Sequence, residues 1–328
     1  MMHNLCIQSI GILTNFTDSN IFVNFAIMKD LLEIPTITEY NEYMGVETIH
    51  PLITIVDFSQ AKLQHRYKTM LGFYAMFFKD KKCGEMRYGR SKYDYEEGTL
   101  VSMGPQQVFN FDAQGEEFQP EGIGLLFHPD LIRGTELAKN IRQYTFFSYE
   151  MNEALHLSEP ERAVIDDCID KIKIELNRPL DRFTKKLIVS NLEMLLDYCL
   201  RFFDRQFNTR KKVNKDILTR FEDFLNDYLR SGKAENEGLP NVTVCADAMH
   251  LSSNYFSDMI KKETGKSALD FIHAMVASTA KEMIYDESLS LSEIAYSLGF
   301  KYPQHFSRFF KKITGITPNQ YRETISAE

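Results

Sequence analysis

Two stretches of this chain, fifty residues apart, repeat one pattern, and that repeat limits what the C-terminal third can fold into. The later copy runs from Leu289 to Glu323. Ser290 can cap a helix, with Glu293 three residues on closing a capping box. Ile294, Ala295 and Leu298 then place apolar side chains on one face, and Gly299 can end the helix in a left-handed conformation. Pro303 suits the first turn of a second helix, where no intrahelical N–H bond is lost. That helix turns Phe306, Phe309 and Phe310 inward and Gln304, His305, Arg308, Lys311 and Lys312 outward. From Ile294 to Arg322 there is no acidic residue, whereas Lys301, Arg308, Lys311, Lys312 and Arg322 are basic. Two short helices with an uninterrupted positive face suit the major groove of double-stranded DNA.

The earlier copy lies at Val242 to Lys266. Shifted by fifty residues, Phe256 falls on Phe306, Ser257 on Ser307, Lys261-Lys262 on Lys311-Lys312, and Thr264-Gly265 on Thr314-Gly315. Ala246 corresponds to Ala295, so the later turn is one residue longer. Between the copies, Leu269, Ile272, Val276, Ala280, Met283 and Ile284 are spaced for one amphipathic helix that would hold the two units together. Two such units imply two successive groove contacts, on the order of 34 Å apart.

The spacing assigns roles to individual residues. Gln304 and Arg308 are four apart and share a helix face, with His305 beside them. Arg can bond guanine O6 and N7, and Gln can bond adenine. Lys311 and Lys312, toward the helix C-terminus, are placed for phosphate. In the first unit Asn254 and Ser257 can hydrogen-bond bases, and Lys261 and Lys262 can hold the backbone. Asp258 stands where the second unit has Arg308. A carboxylate there weakens the first unit's contact, unless it pairs with Lys261 or Lys262 on its own helix.

At this point the sequence resembles a known family. The segment from about Ile217 to Arg322 is similar to the DNA-binding domain of AraC/XylS-type transcriptional regulators. The resemblance rests on Glu293-Ile294-Ala295, Gly299-Phe300, Phe306 to Lys312, Gly315, Thr317-Pro318 and Tyr321-Arg322. This chain departs from the family at Val276, where an arginine is common, and at Asp258 and Ile260 in the first unit. The resemblance implies a sequence-specific regulator with a ligand-sensing, cupin-like N-terminal barrel. It also implies a small-molecule effector and a homodimer, with RNA polymerase as a candidate partner.

The charge balance narrows this. The net charge is −8 over 328 residues, yet residues 239–328 carry nine Lys/Arg against ten Asp/Glu, so most of the acidity lies elsewhere. Non-specific DNA binding is therefore expected to be modest, with selective affinity needing matched sites or dimerisation. No run of 18 apolar residues suggests a membrane span. No secretory signal is expected, and Met28 is a candidate start, with residues 1–27 an extension. Five scattered cysteines without a C-x-x-C pair suggest reduced thiols in a cytoplasmic protein.

From Leu52 to Leu126, short apolar runs separated by turn residues suggest a sandwich or small barrel. His65 and His128 stand alone, so no metal site and no cofactor are expected. Tyr74, Phe78 and Tyr88 are candidates for an apolar pocket or plain core. Next, Ser158 opens a helix, and Ile188, Leu192, Leu195, Cys199 and Phe202 form a heptad-like seam. That seam packs either within the chain or across a dimer axis. The polar run 208–214 reads as a linker, a helix follows at Ile217–Leu229, and Ser231–Pro240 reads as a loop.

The expected fold is thus α+β: an extension (1–27), a cupin-like sensor (28–155), a helical dimerisation or packing segment with linker (156–212), and an all-α DNA-binding domain with two helix–turn–helix units (213–328). Two rivals remain: a cupin-type enzyme with a helical appendage, and a helix–turn–helix protein that binds protein partners.

Overall fold

The computed structural model describes residues 27–28, 31–62, 64–65, 68–79, 87–88, 91–92, 98–109, 117–118, 121–150 and 153–326. The extension before Ile27, and with it Cys6, falls outside the described residues, as do Cys83, Tyr93 and Tyr95. The strands are β1 (Ile27–Met28), β2 (Leu31–Ile34), β3 (Ile53–Asp57), β4 (Gln64–His65), β5 (Lys68–Leu71), β6 (Tyr74–Lys79), β7 (Arg87–Tyr88), β8 (Ser91–Lys92), β9 (Thr99–Met103), β10 (Val108–Phe109), β11 (Glu117–Phe118), β12 (Ile123–Phe127) and β13 (Leu155–His156). The helices are α1 (Ile37–Met44), α2 (Pro129–Ile132), α3 (Glu136–Asn140), α4 (Glu159–Leu176), α5 (Thr184–Thr209), α6 (Lys211–Arg230), α7 (Lys233–Glu237), α8 (Val242–Met249), α9 (Ser253–Thr264), α10 (Ala268–Ile284), α11 (Leu291–Ser297), α12 (Pro303–Thr314) and α13 (Pro318–Ser326). The chain is therefore α+β, with strands first and a helical C-terminal region.

The N-terminal region is organised by a five-stranded antiparallel sheet in the order β13-β9-β6-β12-β3. Alternate side chains on its strands go to two different cores, as a period of two requires. Ala75, Val56, Val101, Met103 and Leu126 face a four-stranded sheet (β1-β2-β5-β10) that contributes Leu32, Ile34, Leu71 and Phe109. Ile53, Met76, Phe78, Leu100, Leu125 and Phe127 face the other way, onto α4 and α5. Both faces of this sheet are covered, which explains why β6 reads as a nearly unbroken apolar run. Phe78 is core, and Tyr74 stacks on Phe127 at 4.9 Å. His128 caps α2 by accepting from the Asp130 N–H.

The heptad-like seam proves to be internal. Ile188, Leu192, Leu195 and Cys199 are fully buried, with Phe202 nearly so, in the same core as Ile165, Ile169 and Ile172 of α4. Pairing with the chain's own helix wins because α4 offers a matching apolar stripe. The linker expected at 208–214 is helical as well. Only Arg210 separates α5 from α6. Asn214 is buried and donates from Nδ2 to the Phe207 carbonyl and to Glu263 Oε1, both at 3.0 Å. Lys and Arg favour helix, and this stretch has no Gly or Pro to stop one. The loop expected at Ser231–Pro240 contains the short α7. Cys168, Cys199 and Cys245 are buried free thiols. No helix among the described residues is long and apolar enough to cross a membrane.

Candidate nucleic-acid interface

Two helix–turn–helix units, α8–α9 and α11–α12, sit at the ends of α10. The connecting helix forms as the apolar spacing requires, with Ile272, Val276, Ala280 and Ile284 buried, although Leu269 is exposed. In the second unit the expected capping box is present: Ser290 accepts from the Glu293 N–H, and the Glu293 carboxylate accepts from the Ser290 N–H at 2.7 Å. Gly299 has φ +88°, and a Cβ there would lie 2.6 Å from the backbone of Gly238 and Leu239. In the first unit His250 occupies the corresponding turn, with φ +59°. A non-glycine residue can adopt that left-handed conformation when space allows.

Helix α12 is held by an aromatic underside. Phe306 and Phe310 are fully buried, and Phe300 packs on Phe306 and Phe309 at 5.5 and 5.2 Å. His273 lies under Phe309; burial and the Lys312 charge lower its pKa. The opposite face carries Lys301, Gln304, His305, Arg308, Lys311 and Lys312, all exposed. His305 rests edge-on against Tyr302 at 5.3 Å, and the Lys301 ammonium lies over the same tyrosine ring at 5.7 Å. Among the described residues no carboxylate pairs with Arg308, Lys311 or Lys312. These cations remain available to an external anion.

Helix α9 has the same underside, with Phe256, Met259 and Ile260 buried. Its other face is occupied. Asp258 accepts hydrogen bonds from the Thr145 hydroxyl at 2.7 Å and the Tyr149 hydroxyl at 2.6 Å. Tyr255 is buried edge-on against Tyr149 at 5.3 Å and beside Phe207 at 5.0 Å. Lys262 pairs with Asp204 of α5 at 3.0 Å. The cap residue Ser252 donates its N–H to Glu153 Oε1 at 2.7 Å and its hydroxyl to Oε2 at 2.5 Å. Burial pushes the Glu153 carboxyl up to about 7 even though these bonds favour its ionised form. Burial and the Asp258 carboxylate raise the Tyr149 phenol far above its ordinary value, so it stays a neutral donor.

The expectation that Asp258 either faces a groove or pairs with Lys261 or Lys262 is therefore corrected. Its partners are hydroxyls 109 and 113 residues away in the N-terminal region. Asn254 and Lys261 remain exposed, while the Ser257 hydroxyl donates to the Ser253 carbonyl at 2.6 Å. Sequence reasoning missed Thr145, Tyr149, Glu153 and Asp204. One signal was present: Tyr255, an aromatic residue, stands where the second unit has the polar His305.

A family model described as a helix-turn-helix domain matches residues 245–324. The uncharacterized HTH-type transcriptional regulator YobQ of Bacillus subtilis (strain 168) is 34% identical over 83 residues, which are 25% of this chain and 34% of that protein. The xylose operon regulatory protein of Escherichia coli (strain K12) is 31% identical over 80 residues, 24% of this chain and 20% of that protein. Among solved structures, the C-terminal domain of AraT, a response regulator from Geobacillus stearothermophilus, is 29% identical. That match covers 33% of this chain and 84% of that one, with a TM-score of 0.29. The chain spans about a third or less of the length of the two curated relatives. Residues 245–324 thus form a helix-turn-helix domain similar to one carried by these transcriptional regulators.

Proposed function

We propose that this protein is a sequence-specific, double-stranded DNA-binding transcription regulator whose N-terminal region responds to a small-molecule effector. The observation that carries the DNA reading is the face of α12. Gln304, His305 and Arg308 are exposed on the first two turns, Lys311 and Lys312 follow, and no carboxylate among the described residues competes for them. In this reading Gln304 and Arg308 contact base edges, and Lys301, Lys311 and Lys312 contact phosphate. Selection of bound duplexes from a random-sequence pool by the full chain tests it. A recovered consensus, whose binding falls with Arg308→Ala, is the expected result. Recovery of no preferred sequence would count against it.

A homodimer is part of the proposal. With the buried seam used internally, the outer face of α5 presents Phe183, Leu187 and Met194, each more than 40% exposed. Lys186 and Glu193 are seven residues apart along this face. Two antiparallel copies would bring Lys186 toward Glu193 of the partner subunit, twice by symmetry. Leu187→Asp should convert the dimer to monomer in sedimentation velocity. The cupin-like nature of the sensor region and a contact with RNA polymerase belong to the same proposal and follow from the family resemblance.

A further inference from the structure

The two units use the same stripe of their second helices for different things. Offset by fifty residues, Tyr255, Asp258 and Lys262 correspond to His305, Arg308 and Lys312. On α12 this stripe is exposed. On α9 all three positions are engaged by the N-terminal region and α5: Tyr255 by Tyr149 and Phe207, Asp258 by Thr145 and Tyr149, and Lys262 by Asp204. A fourth contact, Glu153 to the Ser252 cap, closes the N-terminal end of the helix, where base contacts would begin.

We infer that the first unit is held off DNA by its own chain: the groove-facing stripe of α9 is docked on Thr145, Tyr149, Glu153 and Asp204, and binding in a second groove requires its release. This rests on the DNA-binding reading of the second unit.

The geometry gives the docked state a definite chemistry. A helix inserted in a major groove needs its reading stripe clear over several turns, and a side chain bonded at 2.6 Å to another part of the protein is not clear. The contact is also one that can open. Three of its four anchors are polar bonds whose groups regain water when separated, so each contributes far less net than its bond strength in isolation. Arg210, the single residue between α5 and α6, interrupts an otherwise continuous helical connection between the two parts. Asn254 and Lys261 stay exposed at the edge of the docked stripe, so α9 keeps DNA-capable groups for the released state. In the docked state each protomer offers one groove contact, through α12. In the released state it offers two.

The test uses a duplex recovered by selection with the full chain, with flanking random sequence long enough for both units. Two full-length variants loosen the dock from the side that does not touch DNA: Tyr149→Phe with Thr145→Ala, which removes both donors to Asp258, and Glu153→Ala, which removes both acceptors at the Ser252 cap. Hydroxyl-radical footprinting of the wild type should protect one groove face per protomer. The variants should extend protection about one helical turn and bind several-fold more tightly. Thermal melting of each variant shows that it is folded. A wild-type footprint already spanning two grooves, or folded variants with unchanged footprint and affinity, overturns the docking inference while leaving the DNA reading intact. Failure of the wild type and both variants to bind any selected duplex overturns the DNA reading, and the docking inference with it.

Discussion

The two helix–turn–helix units share a core and differ in what covers them. Phe256 and Phe306 are fully buried at matching positions, and both units hang from one connecting helix. Yet the second unit turns Arg308 outward, while the first turns Asp258 onto a pair of hydroxyls from the N-terminal region. A duplicated scaffold fixes where a side chain points. It does not fix whether the partner at that place is nucleic acid or the chain's own surface. The first unit has a carboxylate and a tyrosine at the positions held by arginine and histidine in its sister unit.

The largest expected effect separates the two turns. Gly299→Ala puts a Cβ against the backbone of Gly238 and Leu239 at a positive φ, and should destabilise the C-terminal domain by about 3 kcal/mol. At His250, already a left-handed non-glycine, substitution by glycine should change stability by only a few tenths of a kcal/mol. Urea unfolding of both variants checks this. Equal losses would mean that the two turns are not under different constraints.

Next in size is the effect of pH on the dock. The Glu153 carboxyl sits near 7 when buried against Ser252, above the ordinary carboxylate range it regains once released. A raised carboxyl pKa means that the docked form holds its proton more tightly. Docking is therefore fully favoured at about pH 4 and below, and weakens as pH rises through about 7. Glu150 acts in the same direction, since burial and the nearby Asp247 charge raise its carboxyl. The ratio of DNA affinity in the wild type to that in Glu153→Gln should rise between about pH 6 and 8, because only the wild type can lose the proton that favours docking, while groups common to both proteins cancel. A flat ratio would remove Glu153 from the docking account.

The smallest effect concerns phosphate. Lys311→Ala should lower binding about equally across sequences and reduce the slope of log K against log salt by roughly one. Lys262→Ala should leave that slope unchanged in the wild-type background, because its ammonium is paired to Asp204. A matching loss of slope for both lysines would indicate that the first unit already lies on DNA.

What was legible in the sequence follows the range of the forces involved. The second unit was readable because its determinants are local: the Ser290–Glu293 box, the Gly299 turn and Pro303 all act within one or two turns of chain. The strands β6 and β12 were readable as short apolar runs between turn residues for the same reason. The stretch 208–214 was misread because polar residues signal a linker only when nothing buries them, and Asn214 is buried by Phe207 and Glu263. The seam on α5 was visible, but its partner was not, since an apolar stripe does not say which stripe faces it. The docking of α9 was out of reach of local reasoning. Asp258 stood out as an anomaly, but its partners lie more than a hundred residues away.

The central claim is that the stripe facing DNA in the second unit faces the protein in the first. One titration of a selected duplex with two full-length variants tests it directly. Arg308→Ala should weaken binding by about 1–3 kcal/mol and relax preference at one base position. Asp258→Asn should strengthen binding, most visibly at low salt, because it loosens the dock and also removes a negative charge from the released groove face. Opposite signs are the predicted result. Weaker binding by both variants, or an Asp258→Asn protein indistinguishable from the wild type, would contradict it.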